Sequence, residues 1–122
     1  MPMHNAIEEK SFHFAVRVVN LCKYLQETKK EYILSKQLMR SGTSIGANIM
    51  ESQQAQSRAD FISKLNIALK EAVETNYWLR LLRATDYLTD SEYMSVIDDC
   101  KELEKLLTAI IKTTRNTPTK TS

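Results

Sequence analysis

Ser35-Lys-Gln-Leu-Met-Arg-Ser-Gly-Thr-Ser-Ile-Gly-Ala-Asn-Ile-Met-Glu-Ser-Gln-Gln54 contains both glycines of the chain, Gly42 and Gly46. Around them Leu38, Met39, Ile45, Ile49 and Met50 keep helical spacing, and no proline intervenes. A glycine inside a helix costs roughly 1 kcal/mol against alanine, so two of them at i, i+4 on one face need a reason. The spacing predicts a helix over 35–54 with a flat strip against which another backbone packs closely; a loop is the alternative.

Outward from this segment the pattern stays helical. Pro2 and Pro118 are the only prolines, and the 115 residues between them carry none. Asn5 followed by Glu8 resembles a capping box and opens a first helix over about 6–28, with Phe12, Ala15, Val18 or Val19, Cys22 and Leu25 on one stripe. Ser57 and Asp60 open a third helix that reaches about Thr85. It has one stripe through Phe61, Leu65, Ala68, Ala72 and Leu79, and a second through Ile62, Leu69, Val73 and Tyr77. Thr89 and Glu92 form a cleaner capping box for a fourth helix carrying Tyr93, Val96, Cys100, Leu103, Leu107 and Ile110. Connections of a few residues force sequential neighbours to run antiparallel, so the expected fold is all-α, an up-down-up-down antiparallel four-helix bundle over residues 1–114. Residues 115–122, a Thr-rich basic tail, are expected to be disordered. Folding at the tight turns places Asn48 near Lys64, Ile45 near Ala68, Arg40 or Ser41 near Glu71, Gly42 near Leu21 and Cys22, and Glu74 near Cys100.

At 122 residues the chain makes one domain with a sizeable core. Cys22 and Cys100 lack metal-ligand spacing and fall within apolar patterns, as small core residues do in a reducing compartment. No apolar run approaches membrane-span length and no signal-peptide pattern is present, which points to the cytoplasm and away from a membrane partner. A net charge of +2 is too mild to argue for nucleic acid alone. Its distribution is uneven: Lys10 to Arg40 is basic and Asp86 to Glu104 acidic, which reads as solvated faces with intrachain neutralisation or as contact between copies. Two apolar stripes on the third helix, added to the glycine strip, predict self-association.

Catalytic chemistry finds little footing. Glu71 with Glu74 and Asp99 with Glu102 have the i, i+3 spacing of a carboxylate metal site, yet the Glu-x-x-His pairs of such bundles are missing and His4 and His13 both sit at the start of the chain. Ser44 has no histidine placed to activate it. No catalytic residue, metal or cofactor is therefore expected. Asn48 must find hydrogen-bond partners if buried, and a network with Glu51 and Lys64 is favoured over ligand binding. Trp78, flanked by Tyr77, Arg80 and Arg83, either packs against a neighbouring helix or subunit, or stacks a base beside a phosphate. A ring of Lys29, Lys30, Lys36, Arg40, Arg80 and Arg83, multiplied by oligomer symmetry, is the nucleic-acid alternative to a plain scaffold.

The blocks Leu34 to Glu51 and Asp60 to Leu82 (Asp-Phe-Ile-Ser-Lys-Leu-Asn-Ile-Ala-Leu-Lys-Glu-Ala-Val-Glu-Thr-Asn-Tyr-Trp-Leu-Arg-Leu-Leu) resemble the bacterial four helix bundle protein family, which includes proteins encoded in intervening sequences of large-subunit ribosomal RNA genes. The resemblance extends over roughly 10–111. It implies a cytoplasmic bundle that assembles as a homopentamer and has no established reaction. It also points to Arg40, Ser44, Asn48, Glu51, Lys70, Glu71, Glu74 and Tyr77 as structural or interface positions. A related branch, the accessory variability determinant of diversity-generating retroelements, is similar in fold and implies RNA or DNA and a reverse transcriptase as possible partners.

Overall fold

The computed structural model describes residues 2–118, with side chains from residue 6. Four helices follow in order: α1 (Pro2–Glu27), α2 (Leu34–Ser52), α3 (Arg58–Ala84) and α4 (Asp90–Asn116). α1 packs on α2 and α4, and α3 packs on α2 and α4, with no close backbone approach across the diagonals among the described residues. The result is the antiparallel four-helix bundle that the short connections demand. No helix among the described residues is long and apolar enough to cross a membrane.

The helix starts have distinct causes. Ser57 accepts from Asp60 N at 3.0 Å and caps α3. At α4 both halves of the capping box are present: Thr89 Oγ1 accepts from Glu92 N at 3.1 Å, and Glu92 Oε1 from Thr89 N at 2.8 Å. The expected start near Asn5 is corrected, because α1 already runs through that residue from Pro2, and proline is well tolerated in a first turn. Arg115 and Asn116 belong to α4, not to a tail; Thr119 to Ser122 lie outside the described residues.

α2 has no side-chain cap at Ile33. The acceptor comes instead from Glu31, a buried carboxylate in the preceding turn that takes hydrogen bonds from Ile33 N (3.0 Å), Leu34 N (2.9 Å) and Ser35 N (2.7 Å). Lys30 makes this possible with φ 58°, a left-handed residue ending α1, while Glu31 N returns to Leu25 O at 2.9 Å.

The core runs through the bundle centre, and α1 contributes Ile7, Phe14, Val18, Cys22 and Leu25. Phe12, expected on that stripe, is 69% exposed; the buried phase runs through Phe14. On α3 the stripe through Leu65, Ala68, Ala72 and Leu79 is buried as expected. Its second stripe divides, with Ile62 and Leu69 packed partly on the core and Val73 and Tyr77 each 53% exposed. The polar groups inside are accounted for: Thr75 Oγ1 lies 2.9 Å from Ser41 Oγ across the α2/α3 seam, and no buried side-chain nitrogen or oxygen among the described residues lacks a partner. Cys22 and Cys100 are free and buried, with thiols against Ser35 O and Ala72 O. Burial first, then the negative charges of Glu31 and Glu104 respectively, push both thiols up to about 12, so neither is a thiolate at neutral pH.

Candidate interaction surfaces

Gly42 and Gly46 both face α1, as the close-packing reading requires, but they are not equivalent. A Cβ at Gly42 would lie 2.8 Å from both methyl carbons of Val18; at Gly46 it would lie 3.4 Å from the Ser11 carbonyl oxygen, an ordinary contact. The tight point is therefore Gly42, and its neighbour is Val18, about one turn from the expected Leu21 and Cys22.

Across α2 and α3 the antiparallel count holds. Arg40 Nη1 donates to both Glu71 carboxylate oxygens at 3.2 and 3.0 Å, and its Nη2 pairs with Glu74. Glu74 also accepts from Trp78 Nε1 at 2.9 Å, and the Tyr77 and Trp78 rings meet edge to face at 5.1 Å. The Trp78 hydrogen bond, then Arg40, hold the Glu74 carboxyl below its ordinary value, while Glu74 first and then Glu71 raise Arg40. Glu71 and Glu74, which have the spacing of a carboxylate metal pair, thus both face the Arg40 guanidinium. Lys64 reaches Glu51 at 3.1 Å. Asn48 is not in that pair: its Nδ2 donates to Ser44 O at 2.8 Å within its own helix, and Ser44 Oγ donates likewise to Arg40 O. Lys70 makes no ion pair among the described residues.

Three of the seven acids from Asp86 to Glu104 are paired with basic residues within the chain. Arg17 pairs with Asp99 and donates to Ser95 O at 2.7 Å, Lys10 meets Glu102 at 3.4 Å, and Arg83 Nε donates to Asp90 at 2.7 Å. The first two pairs close the α1/α4 seam and the third ties α3 to α4, and nothing in the sequence pattern marks Arg17 as the partner of Asp99 beforehand. Of the six basic residues considered for a ring, Arg40 and Arg83 are thereby committed to carboxylates. Lys29, Lys30, Lys36 and Arg80 make no ion pair among the described residues, and all lie at the end of the bundle where α1 finishes.

Two apolar grooves lie on opposite sides of the square. Between α1 and α2, exposed Phe12 and Met50 (70%) wall a groove of about 320 Å³ floored by Ala15, Gly46 and Ala47, with Glu8 at its rim. Between α3 and α4, Leu69, Val73 and Ala109 line one of about 500 Å³, flanked by Lys105, Lys112 and Glu104. At about 1.5 Å per residue, both lie within roughly 20 to 23 Å of the bundle end where α1 begins. Periodicity shows that these residues are apolar; it does not show that they gather into grooves.

A family model described as 23S rRNA-intervening sequence protein matches residues 3–109. Among solved structures, the chain is similar to a protein of unknown function from the S23 ribosomal protein family of Bacteroides thetaiotaomicron. The two are 60% identical with a TM-score of 0.89, over 90% of this chain and 98% of that one. Among curated proteins no match is found. The bundle, its α2/α3 seam and a match over nearly the whole chain lead to one conclusion: the protein belongs to the 23S rRNA-intervening sequence protein family.

Proposed function

We propose that the protein is a non-enzymatic scaffold that works in the cytoplasm as a closed ring of identical subunits, five by the family resemblance. The observation that carries this reading is the pair of apolar grooves on opposite sides, overlapping in height, with Glu8 at the rim of one and Lys105 and Lys112 beside Glu104 at the rim of the other. Exposed apolar surface of this kind favours association. Two different faces pair head to tail, and such contacts close into a ring when each subunit is turned by an equal fraction of a full turn from the last, whereas a single self-complementary face stops at a dimer.

Light scattering is expected to give several times the single-chain mass of 14.1 kDa at micromolar concentration. Phe12→Glu with Met50→Glu should reduce the protein to single chains by disabling one face, and Val73→Glu with Ala109→Glu should do so by disabling the other. Mixed together, the two variants should form a species of two chains and no larger one, since only one intact pair of faces remains. A single-chain wild type would end the oligomer reading. Retention of full size by either double variant would remove that face from the interface.

A second reading, in which the ring presents Lys29, Lys30, Lys36 and Arg80 to RNA or DNA, is favoured by their lack of ion pairs at one shared end. Binding to a generic RNA should then weaken steeply with salt and fall on Lys29→Glu with Lys30→Glu. Filter binding that shows no retention at about 50 mM salt and tens of micromolar protein would remove it.

A further inference from the structure

At the far end of the α3/α4 side, above the apolar groove, a hollow of about 460 Å³ is lined by Tyr77, Arg80, Leu81, Arg83, Asp90 and Tyr93. Its two guanidinium groups stand one helical turn apart and differ in state. Arg83 is held in place: Nε donates to Asp90 Oδ1 at 2.7 Å, and its Cζ lies 4.9 Å from the centre of the Tyr93 ring. Those contacts occupy one edge and one face of the guanidinium and leave both Nη atoms without a hydrogen bond among the described residues. Asp90, the acid in the hollow, has its charge satisfied by Arg83. Arg80 has no partner at all among the described residues. One turn before it stands Tyr77, 53% exposed, braced edge to face by Trp78 at 5.1 Å with the planes at 73°.

Oriented guanidinium donors beside an open, braced aromatic ring suit a ligand that combines an anion with a flat π-system. We propose that this hollow binds a nucleoside phosphate, with the base stacked on Tyr77 and the phosphate held between Arg80 and the Nη atoms of Arg83. The site goes beyond the scaffold reading, is complete within one chain, and is separate from the lysines of the α1/α2 turn. Its chemistry fits either a free nucleotide or one residue of a single strand. A strand would gain from repetition of the site around a ring, because each copy raises the effective concentration for the next.

Trp78 is the only tryptophan in the chain and touches Tyr77, so its fluorescence reports on the hollow. The full chain is titrated with adenosine 5′-monophosphate and with a ten-residue adenosine oligonucleotide at low salt, by fluorescence and by calorimetry in parallel. Saturable binding is expected. Equal affinity per nucleotide for the two probes assigns the site to free nucleotides, and much tighter binding of the oligonucleotide assigns it to a strand. Arg80→Ala should weaken binding at least about tenfold, the scale of one lost charge-assisted hydrogen bond. Tyr77→Phe should retain binding and Tyr77→Ala lose it; both positions are exposed, so the helical circular dichroism should be unchanged. Absence of binding by both methods would overturn the proposal. So would inorganic phosphate displacing the nucleotide at equal concentration, since the base would then contribute nothing. A single-chain protein that still binds the mononucleotide would sink the ring and leave this site standing.

Discussion

Gly42→Leu is expected to prevent folding, and even Gly42→Ala to lower stability by about 1 to 3 kcal/mol, the usual cost of inserting atoms into a filled core. The new Cβ would meet both Val18 methyl carbons at 2.8 Å. Valine cannot swing aside as a long side chain can, because branching at Cβ restricts χ1 in a helix, and Val18 itself is fully buried. The improved helix propensity of alanine, about 1 kcal/mol, offsets part of the loss. Val18→Ala alone removes buried methyl groups and should also destabilise. Combined with Gly42→Ala it should cost less than the sum of the two, a favourable coupling on the order of 1 kcal/mol in a double-mutant cycle read from urea midpoints. Gly46→Ala behaves oppositely. Its Cβ finds ordinary contact with the Ser11 carbonyl, so the propensity term prevails and stability should rise by up to about 1 kcal/mol. Gly42→Ala as stable as wild type, or Gly46→Ala less stable than Gly42→Ala, would show that α1 and α2 are not packed in this way.

The second large effect is expected at Glu31. Its carboxylate takes three backbone N–H groups at the start of α2, so Glu31→Ala strands buried donors and should cost about 2 to 3 kcal/mol. Burial raises the Glu31 carboxyl, but the hydrogen bonds from Leu34, Ser35 and Ile33 outweigh it and hold the group below its ordinary value of 4.5. A carboxyl depressed in the folded state binds fewer protons there than in the unfolded chain. Its stabilisation is therefore complete above about pH 4.5 and fades as pH falls through the folded value. The stability gap between wild type and Glu31→Gln, measured by urea unfolding from pH 7 downward, should be widest near neutrality and narrow in acid. A gap that stays constant with pH would mean that the charge of Glu31 contributes nothing to the cap.

Much of this architecture follows from local patterns. The Thr89 and Glu92 capping box, the Ser57 cap and the three- and four-residue steps from Tyr93 to Ile110 are read from neighbouring residues, because a helix repeats its own geometry every 3.6 residues. Short turns then determine which helices are neighbours, and counting back from the α2/α3 turn brings Arg40 to Glu71. Three features needed the assembled bundle. Phe12 and Phe14 offer α1 two competing apolar phases, and Phe14 turns inward because Val18, on its face, fits against Gly42. Glu31 reads as a loop charge until the left-handed turn at Lys30 directs its carboxylate at the start of α2. Val73, Ala109, Phe12 and Met50 are apolar in any reading, but whether they face the core or form grooves depends on helix rotation. That rotation is set by contacts between residues far apart in the chain, so the sequence determined the helices and their order, while only the tertiary structure decided which faces remain open to a partner.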